Sequence, residues 1–246
     1  MPMAQFNYGN LLWFGTPPVP PEPRRYCLGW NPALSKFKPY TLPVKKLARC
    51  SKATPEFVAE AKDMYENIPP GIKNVLTAYG CAVLPVDDIY DAIDWIWLSE
   101  PRGHKDKFSW AEIGGLCMFT GHLLLIANHV IDHRGFRVKR SRPQATFNHE
   151  LGHCFDAALK YISQTPEFLR CVLADVEKIE GSDRLFYQYL LASLPQGPSE
   201  IFAECFALTQ GAHCLQLSTR SLADYFPSCY QFVKELVDRL SSTNSN

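Results

Sequence analysis

Apolar residues recur at helical spacing over TPEFVAEAKDMYENI, a stretch that begins at Thr54 with a capping hydroxyl and continues with proline at the first helical position. The next stretch, PPGIKNVLTAYG, predicts a second short helix that ends at Gly80. CAVLPV follows it and is typical of a strand. We therefore expect the compact part of the chain to begin near Thr54.

A β-hairpin is predicted over GGLCMFTGHLLLIAN, residues 114–128, with its tight turn at Thr120 and Gly121. The basic segment HRGFRVKRSRP that follows predicts a loop. Beyond it the pattern is mostly helical, and helices are predicted at about 145–160, 166–180, 183–192, 198–210 and 221–240. This order of elements indicates an α+β fold that is mainly helical.

The first 43 residues contain nine of the nineteen prolines, which excludes regular helix there and favours polyproline II and turns. We predict an amino-terminal extension over 1–50, a compact domain over 51–240 and a disordered tail over 241–246. Residues 17–25, PPVPPEPRR, match a PxxPxR spacing. We expect a linker or surface wrap, with docking to a polyproline-reading domain as the alternative.

Composition narrows the class of protein. Hydrophobic residues make up 46% of the 246 residues, which is typical of a folded globular chain, and 25 basic residues balance 25 acidic ones. The balance indicates neither a nucleic acid nor a membrane surface as partner, and HLLLIANHV is too short to span a bilayer. No signal-peptide pattern is present at the start, and nine cysteines without a CxxC pair favour reduced thiols. We expect action in the cytosol, either of the producing cell or of a cell into which the protein is delivered.

Candidate chemistry lies in TFNHELGHCFDAAL, Thr146 to Leu159. On a helix, His149 and His153 are separated by about 40° of rotation and about 6 Å of rise, so both imidazoles can face one zinc ion. Glu150 lies on the same side but too far round to join them, where it can act as general base on a water. The spacing predicts metal-assisted peptide hydrolysis, whereas the alternative is an amphipathic helix with incidental histidines.

A third ligand is expected on a separate element. The HExxHxxGxxH pattern of metzincins is absent, because Asp156 and Leu159 occupy the positions of its glycine and third histidine. The segment GPSEIFAECFAL supplies the better candidates, since two carboxylates one turn apart in an apolar helix are costly to bury without a partner. From the residues alone, Glu200 is favoured as ligand with Glu204 beside it, and Glu177 is the main rival.

HELGHCFD together with SEIFAECFAL resembles the catalytic domain of anthrax toxin lethal factor and the related Pro-Pro endopeptidases, a gluzincin-type group of zinc metallopeptidases. The resemblance covers about residues 54–240 and implies a zincin-like fold with a small sheet packed on the HExxH helix. It further implies that the zinc ligands are His149, His153 and Glu200. Glu150 would then be the base, and Glu204 would support the site.

The same resemblance implies a tyrosine that stabilises the oxyanion, and that a strand of the hairpin lines the substrate cleft. The family places this tyrosine shortly before the third ligand, whereas in this chain Tyr187 and Tyr189 lie further upstream. A structural role is favoured for these tyrosines, since that is the commoner case on a helix, and the alternative is that either phenol serves as the oxyanion donor.

Three other features have simpler interpretations. His129 and His133 stand four apart in HVIDH, but no glutamate follows the first histidine, so hydrogen bonding in a loop is favoured over metal binding. The basic segment predicts solvated surface, with a rim that selects acidic substrate segments as the alternative. Cys154 and Cys205 are expected to be buried thiols and not nucleophiles.

Together these observations predict a zinc metalloendopeptidase that acts on a protein or peptide substrate. Two alternatives remain at this point. The first is an inactive zinc-binding interaction protein of the same fold, and the second is an effector or toxin protease that acts in a target cell.

Overall fold

A computed structural model describes residues 53–89, 112–118, 122–132, 134–181, 183, 190–191, 196–212 and 221–242. Its helices are α1 (Pro55–Glu66), α2 (Pro70–Tyr79), α3 (Pro143–Ala158), α4 (Pro166–Val176), α5 (Gln196–Thr209), α6 (Leu222–Tyr225) and α7 (Pro227–Ser242). Its strands are β1 (Ala82–Val86), β2 (Gly115–Met118), β3 (Leu123–Ala127), β4 (His129–Ile131) and β5 (Arg137–Lys139). The predicted extension over 1–50 lies outside the described residues.

Local signals in the sequence set the ends of the first two helices. The Thr54 hydroxyl accepts a hydrogen bond from the backbone N–H of Phe57, 3.3 Å away, at the start of α1. Gly80 ends α2 with φ of 85°, a conformation that glycine adopts at little cost, and its N–H bonds to carbonyls of the last turn. The predicted helix capped by Thr54 and the predicted helix that ends at Gly80 are both confirmed.

A three-stranded sheet has the order β1-β3-β2. Strand β1 is parallel to β3, and β2 is antiparallel to β3 in the register Gly115 to Ile126 and Met118 to Leu123. Every residue of β1 and β3 is buried. The predicted hairpin is therefore confirmed, while its turn residues Thr120 and Gly121 lie outside the described part.

The basic segment HRGFRVKRSRP was expected to be a loop. This prediction is wrong for Arg137–Lys139 in its middle, which form a strand. Strand β4 pairs with β5 in an antiparallel ladder, His129 opposite Lys139 and Ile131 opposite Arg137. Asp132 closes the turn by accepting N–H bonds from Arg134 and Phe136. Side chains at the turn thus satisfy the backbone, which lets a largely polar and exposed stretch form a ladder.

The predicted helix over 221–240 is interrupted. Phe226 leaves helical geometry with φ of −124° and ψ of 55°, and Pro227 begins α7 at its first position. The proline ring disfavours helical geometry in the residue before it, so α6 and α7 are separate. Helix α7 continues to Ser242, past the predicted domain boundary, and residues 243–246 lie outside the described part.

Helix α3 lies at the centre of the domain, with β2 and β3 against one side and α5 against another. Its apolar stripe of Phe147, Leu151 and Phe155 is at most 1% exposed. Phe155 packs on Phe206 of α5 with ring centroids 5.0 Å apart. The fold is α+β and mainly helical, with a small sheet on the helix that carries HExxH, as predicted. Within the described ranges, no helix is long and apolar enough to cross a membrane.

Candidate metal centre

Helix α3 directs the two histidines of the motif at one point. His149 and His153 are one turn apart, and their Nε2 atoms lie 3.1 Å from each other. His149 is 8% exposed, and its ring meets that of His153 edge to face. Helical spacing therefore places both imidazoles on one face, as the sequence predicted. It leaves both Nε2 atoms available to the same partner.

Helix α5 brings Glu200 to this point from a separate part of the chain. Its Oε2 atom lies 3.3 Å from Nε2 of His149 and 3.3 Å from Nε2 of His153. The three side chains form a cluster whose candidate ligand atoms all lie within 4.8 Å of one another. Within the described ranges, no other group of three or more His, Cys, Asp or Glu side chains is close enough to hold a metal ion.

Gly152 lets the two helices approach closely enough to form the cluster. A Cβ atom at this position would lie 2.8 Å from Cα of Ala203 and 3.0 Å from its carbonyl oxygen on α5. Such distances are shorter than real Cβ contacts, so no larger residue fits without moving a helix. The element that approaches the motif helix at Gly152 is therefore another helix, α5.

Polar side chains face the other ring nitrogen of each histidine. Nδ1 of His149 lies 2.9 Å from Oε1 of Glu204, a carboxylate that is 1% exposed. Nδ1 of His153 lies 3.2 Å from the hydroxyl oxygen of Ser199. The carboxylate beside Nδ1 of His149 favours a proton on that atom, and the Ser199 hydroxyl can accept a proton from Nδ1 of His153. In that state both Nε2 lone pairs are directed at Glu200.

The carboxylates control the charge of the site. Burial alone would lower the pKa of His149, but Glu204 and Glu200 outweigh it and hold that pKa well above its ordinary value. The pKa of His153 is raised too, against burial, by Glu200. Burial would raise the pKa of Glu200, yet the two histidines hold it well below its usual range. The site therefore stabilises positive charge at its centre.

This donor set fits a divalent transition metal. With protons on both Nδ1 atoms, the lone pairs of two Nε2 atoms and of one carboxylate oxygen face one another within 3.3 Å. That arrangement is repulsive unless a cation or protons lie between the donors. Two imidazole nitrogens and one carboxylate are also a common three-residue set for a catalytic zinc ion, which keeps its fourth position for water.

Glu150 lies beside the cluster and is held by the sheet. Its Oε2 atom accepts the backbone N–H of Cys117 on β2, 2.8 Å away. A Cβ atom on Gly115 would lie 2.7 Å from Cγ of Glu150, so the strand passes close to this side chain. Burial raises the pKa of the Glu150 carboxyl, while the two histidines act in the opposite direction. A raised pKa makes the carboxylate a stronger base.

Among the remaining candidates, those that the structure describes are not part of the cluster. Glu177, the rival third ligand, follows the last residue of α4, is exposed, and is not part of the cluster. Tyr187 and Tyr189 lie outside the described residues. His129 contacts Asp87, with Nδ1 2.7 Å from Oδ1, while His133 is outside the described part.

The basic segment is largely engaged in ion pairs. Arg134 pairs with Asp132, and Arg137 contacts Asp87 and Asp88. Lys139 lies 3.9 Å from Glu60. These pairs support the interpretation as ordinary surface over that of a rim that selects acidic substrates.

The two cysteines of the site helices are buried free thiols, as predicted. Both Cys154 and Cys205 are 0% exposed, and burial raises their pKa values well above the ordinary range. Cys154 lies with its Sγ atom 3.4 Å from that of Cys117. A protonated, inaccessible thiol is a poor nucleophile, which agrees with a structural role.

Sequence reasoning did not identify three further groups near the site: Ser199, Asp156 and the N–H of Cys117. Asp156 is 1% exposed, and burial raises the pKa of its carboxyl to about 6. A charged residue three positions after His153, within a segment otherwise buried, was a signal that its carboxylate has a partner. A backbone N–H has no signature in the sequence at all.

No known family and no curated protein matches the sequence of this chain. Among solved structures, the chain is similar to the Pro-Pro endopeptidase PPEP-2 from Paenibacillus alvei, with 20% identity and a TM-score of 0.49. The similarity covers 75% of this chain and 92% of that protein. A likeness this distant does not assign a family.

Proposed function

We propose that this protein is a zinc-dependent metalloendopeptidase, in which His149, His153 and Glu200 hold the ion and Glu150 is the general base. The observation that carries the proposal is the convergence of two Nε2 atoms and one Oε2 atom within 3.3 Å, with the half-buried carboxylate of Glu150 beside them. When bound, zinc would polarise the scissile carbonyl and lower the pKa of a water to near 7.

The chain's own residues supply the rest of the chemistry. Glu150 takes a proton from the attacking water and returns it to the leaving amine. The N–H of Cys117 holds this carboxylate in place without neutralising it. Glu204 orients His149 and stabilises the positive charge that gathers on its ring. Tyr187 or Tyr189 is proposed as the oxyanion donor, on the sequence alone.

We propose an extended peptide segment of a protein as the substrate. Strand β2 lies at the edge of its sheet among the described strands, and its backbone passes directly beside Glu150. An edge strand can pair with an extended peptide through main-chain hydrogen bonds, whatever its side chains. Such pairing would place a peptide bond close to the base.

The test uses a peptide library together with metal analysis of the purified protein. We expect the wild type to contain zinc and to cleave peptides, and Glu150→Gln to keep the zinc while its turnover falls by at least about 100-fold. Glu200→Ala should weaken zinc binding strongly, whereas Glu177→Ala, an exposed carboxylate away from the cluster, should not.

Three outcomes would contradict the proposal. Full activity in Glu150→Gln would exclude this residue as the base. A larger loss of zinc in Glu177→Ala than in Glu200→Ala would reassign the third ligand. Tightly bound zinc with no cleavage of any peptide would favour the inactive interaction protein instead.

A further inference from the structure

A hydroxyl and a buried carboxylate lie behind His153, on the side away from the cluster. The Ser199 hydroxyl oxygen is 3.2 Å from Nδ1 of His153. The carboxylate of Asp156 lies close enough to the same side chain for Ser199 to lower the pKa of Asp156, against the effect of burial. Asp156 is 1% exposed and lies on α3, three residues after His153. Ser199 directly precedes Glu200 on α5.

The carboxylate is itself held from the far side. Its Oδ1 atom accepts the backbone N–H of Ser163 at 2.9 Å, and Oδ2 accepts the Ser163 hydroxyl at 2.6 Å. Ser163 lies in the 3-10 turn Ile162–Gln164 and is fully buried. Asp156 is therefore held in one orientation, and each of its oxygens has acceptor capacity left for a further donor such as the Ser199 hydroxyl.

These contacts determine where the protons lie. A carboxylate only accepts, so the Ser199 hydroxyl donates its proton to Asp156 and presents its lone pairs to His153. Nδ1 of His153 must then carry a proton in order to donate to that oxygen. The neutral ring consequently has its lone pair on Nε2, the atom that faces Glu200.

We propose that Ser199 and Asp156 are positioning residues that hold His153 in the tautomer and orientation needed for the metal, an inference that rests on the proposed function. The two histidines are then oriented in different ways. His149 contacts the Glu204 carboxylate directly, whereas His153 contacts the Ser199 hydroxyl, which lies between it and a carboxylate. Because Ser199 and Glu200 are adjacent, one turn of α5 both contributes the candidate ligand Glu200 and orients the candidate ligand His153.

The experiment measures zinc affinity by competition with a chelator, in the absence of any peptide. Ser199→Ala should weaken zinc binding by about 10- to 100-fold. Ser199→Thr keeps a hydroxyl and should restore most of the affinity. Ser163→Ala is the matched control, because it removes a bond to the same carboxylate but leaves the link to His153 in place.

A second measurement follows the Nδ1 proton of His153 by NMR in the zinc-loaded protein. The bond to Ser199 should slow its exchange with water in the wild type and in Ser163→Ala, and the signal should broaden or disappear in Ser199→Ala. Asp156→Asn removes the negative charge and one of the two acceptor oxygens, so the Ser199 hydroxyl should be held less firmly and zinc binding should weaken at least about 10-fold.

The inference would be overturned if Ser199→Ala bound zinc as tightly as the wild type and kept the protected Nδ1 proton. Equal losses in Ser199→Ala and Ser163→Ala would likewise overturn it, because both would then reflect general packing. Neither of these two measurements involves cleavage. If the peptide library showed that the wild type binds zinc but cleaves nothing, the proposed function would be contradicted while the positioning result stood.

Discussion

Replacing Gly152 with alanine tests whether the contact between α3 and α5 builds the metal centre. The added Cβ would lie 2.8 Å from Cα of Ala203, about 0.6 Å short of the 3.4 Å at which ordinary contact begins. The nearest atoms are backbone, so no rotamer change relieves the clash and one helix must move. Overpacking of this kind costs about 1–3 kcal/mol, against about 0.5–1 kcal/mol gained because alanine favours a helix over glycine.

The expected result has two parts. The free energy of unfolding should fall by up to about 2.5 kcal/mol, which lowers the melting temperature by about 2–4 °C for each kcal/mol. Zinc affinity should fall about tenfold or more, because ligand distances tolerate only about 0.2 Å and Glu200 moves with α5 relative to both histidines. Thermal unfolding of the metal-free protein and chelator competition measure the two effects separately.

Ala158→Gly serves as the control for stability. It lies at the last residue of α3, where it costs up to about 1 kcal/mol in helix propensity and leaves the contact at Gly152 unchanged. We expect this variant to bind zinc like the wild type. If Gly152→Ala were as stable as the wild type and bound zinc equally well, the two helices would tolerate a larger side chain at this contact. The close contact would then not be what builds the metal centre.

Three further predictions concern single side chains. Glu204→Gln keeps the shape but removes the charge beside His149, so zinc affinity measured against a chelator should fall about 10- to 100-fold. Gly115→Ala pushes β2 away from Glu150, so peptide turnover should fall while zinc content stays unchanged; a loss of both would show that the strand supports the ligands as well. Thr54→Ala removes a helix cap and should cost about 1 kcal/mol in urea unfolding, with no change in zinc affinity.

Local patterns predicted most of the elements correctly. The caps of α1 and α2 and the apolar stripe of α3 depend on residues within a few positions of one another, so a single stretch of sequence contains the information. The errors occurred where the effect of one side chain on nearby backbone decides, which the hydrophobic pattern does not show. The β4–β5 ladder depends on Asp132 satisfying the turn, and the break between α6 and α7 depends on the effect of Pro227 on the residue before it.

The candidate site likewise has one part that local spacing predicts and one part that only the packing of separate elements decides. His149, Glu150 and His153 are identifiable from spacing alone, because a helix places residues four apart on one face. Glu200 lies on another helix, and the residues by themselves left Glu177 open as a rival. Only the packing of α5 against α3 brings Glu200 within 3.3 Å of both rings.

The sequence by itself determined a helical HExxH segment and the types of side chain available to a metal ion, because helical periodicity is a local property. The tertiary structure decided which carboxylate completes the cluster, through a contact that Gly152 permits. It also decided the hydrogen bonds that Ser199 and the N–H of Cys117 make to the site. These depend on how separate elements pack, and a backbone N–H is the same for every residue but proline, so no pattern along the chain can specify its partner.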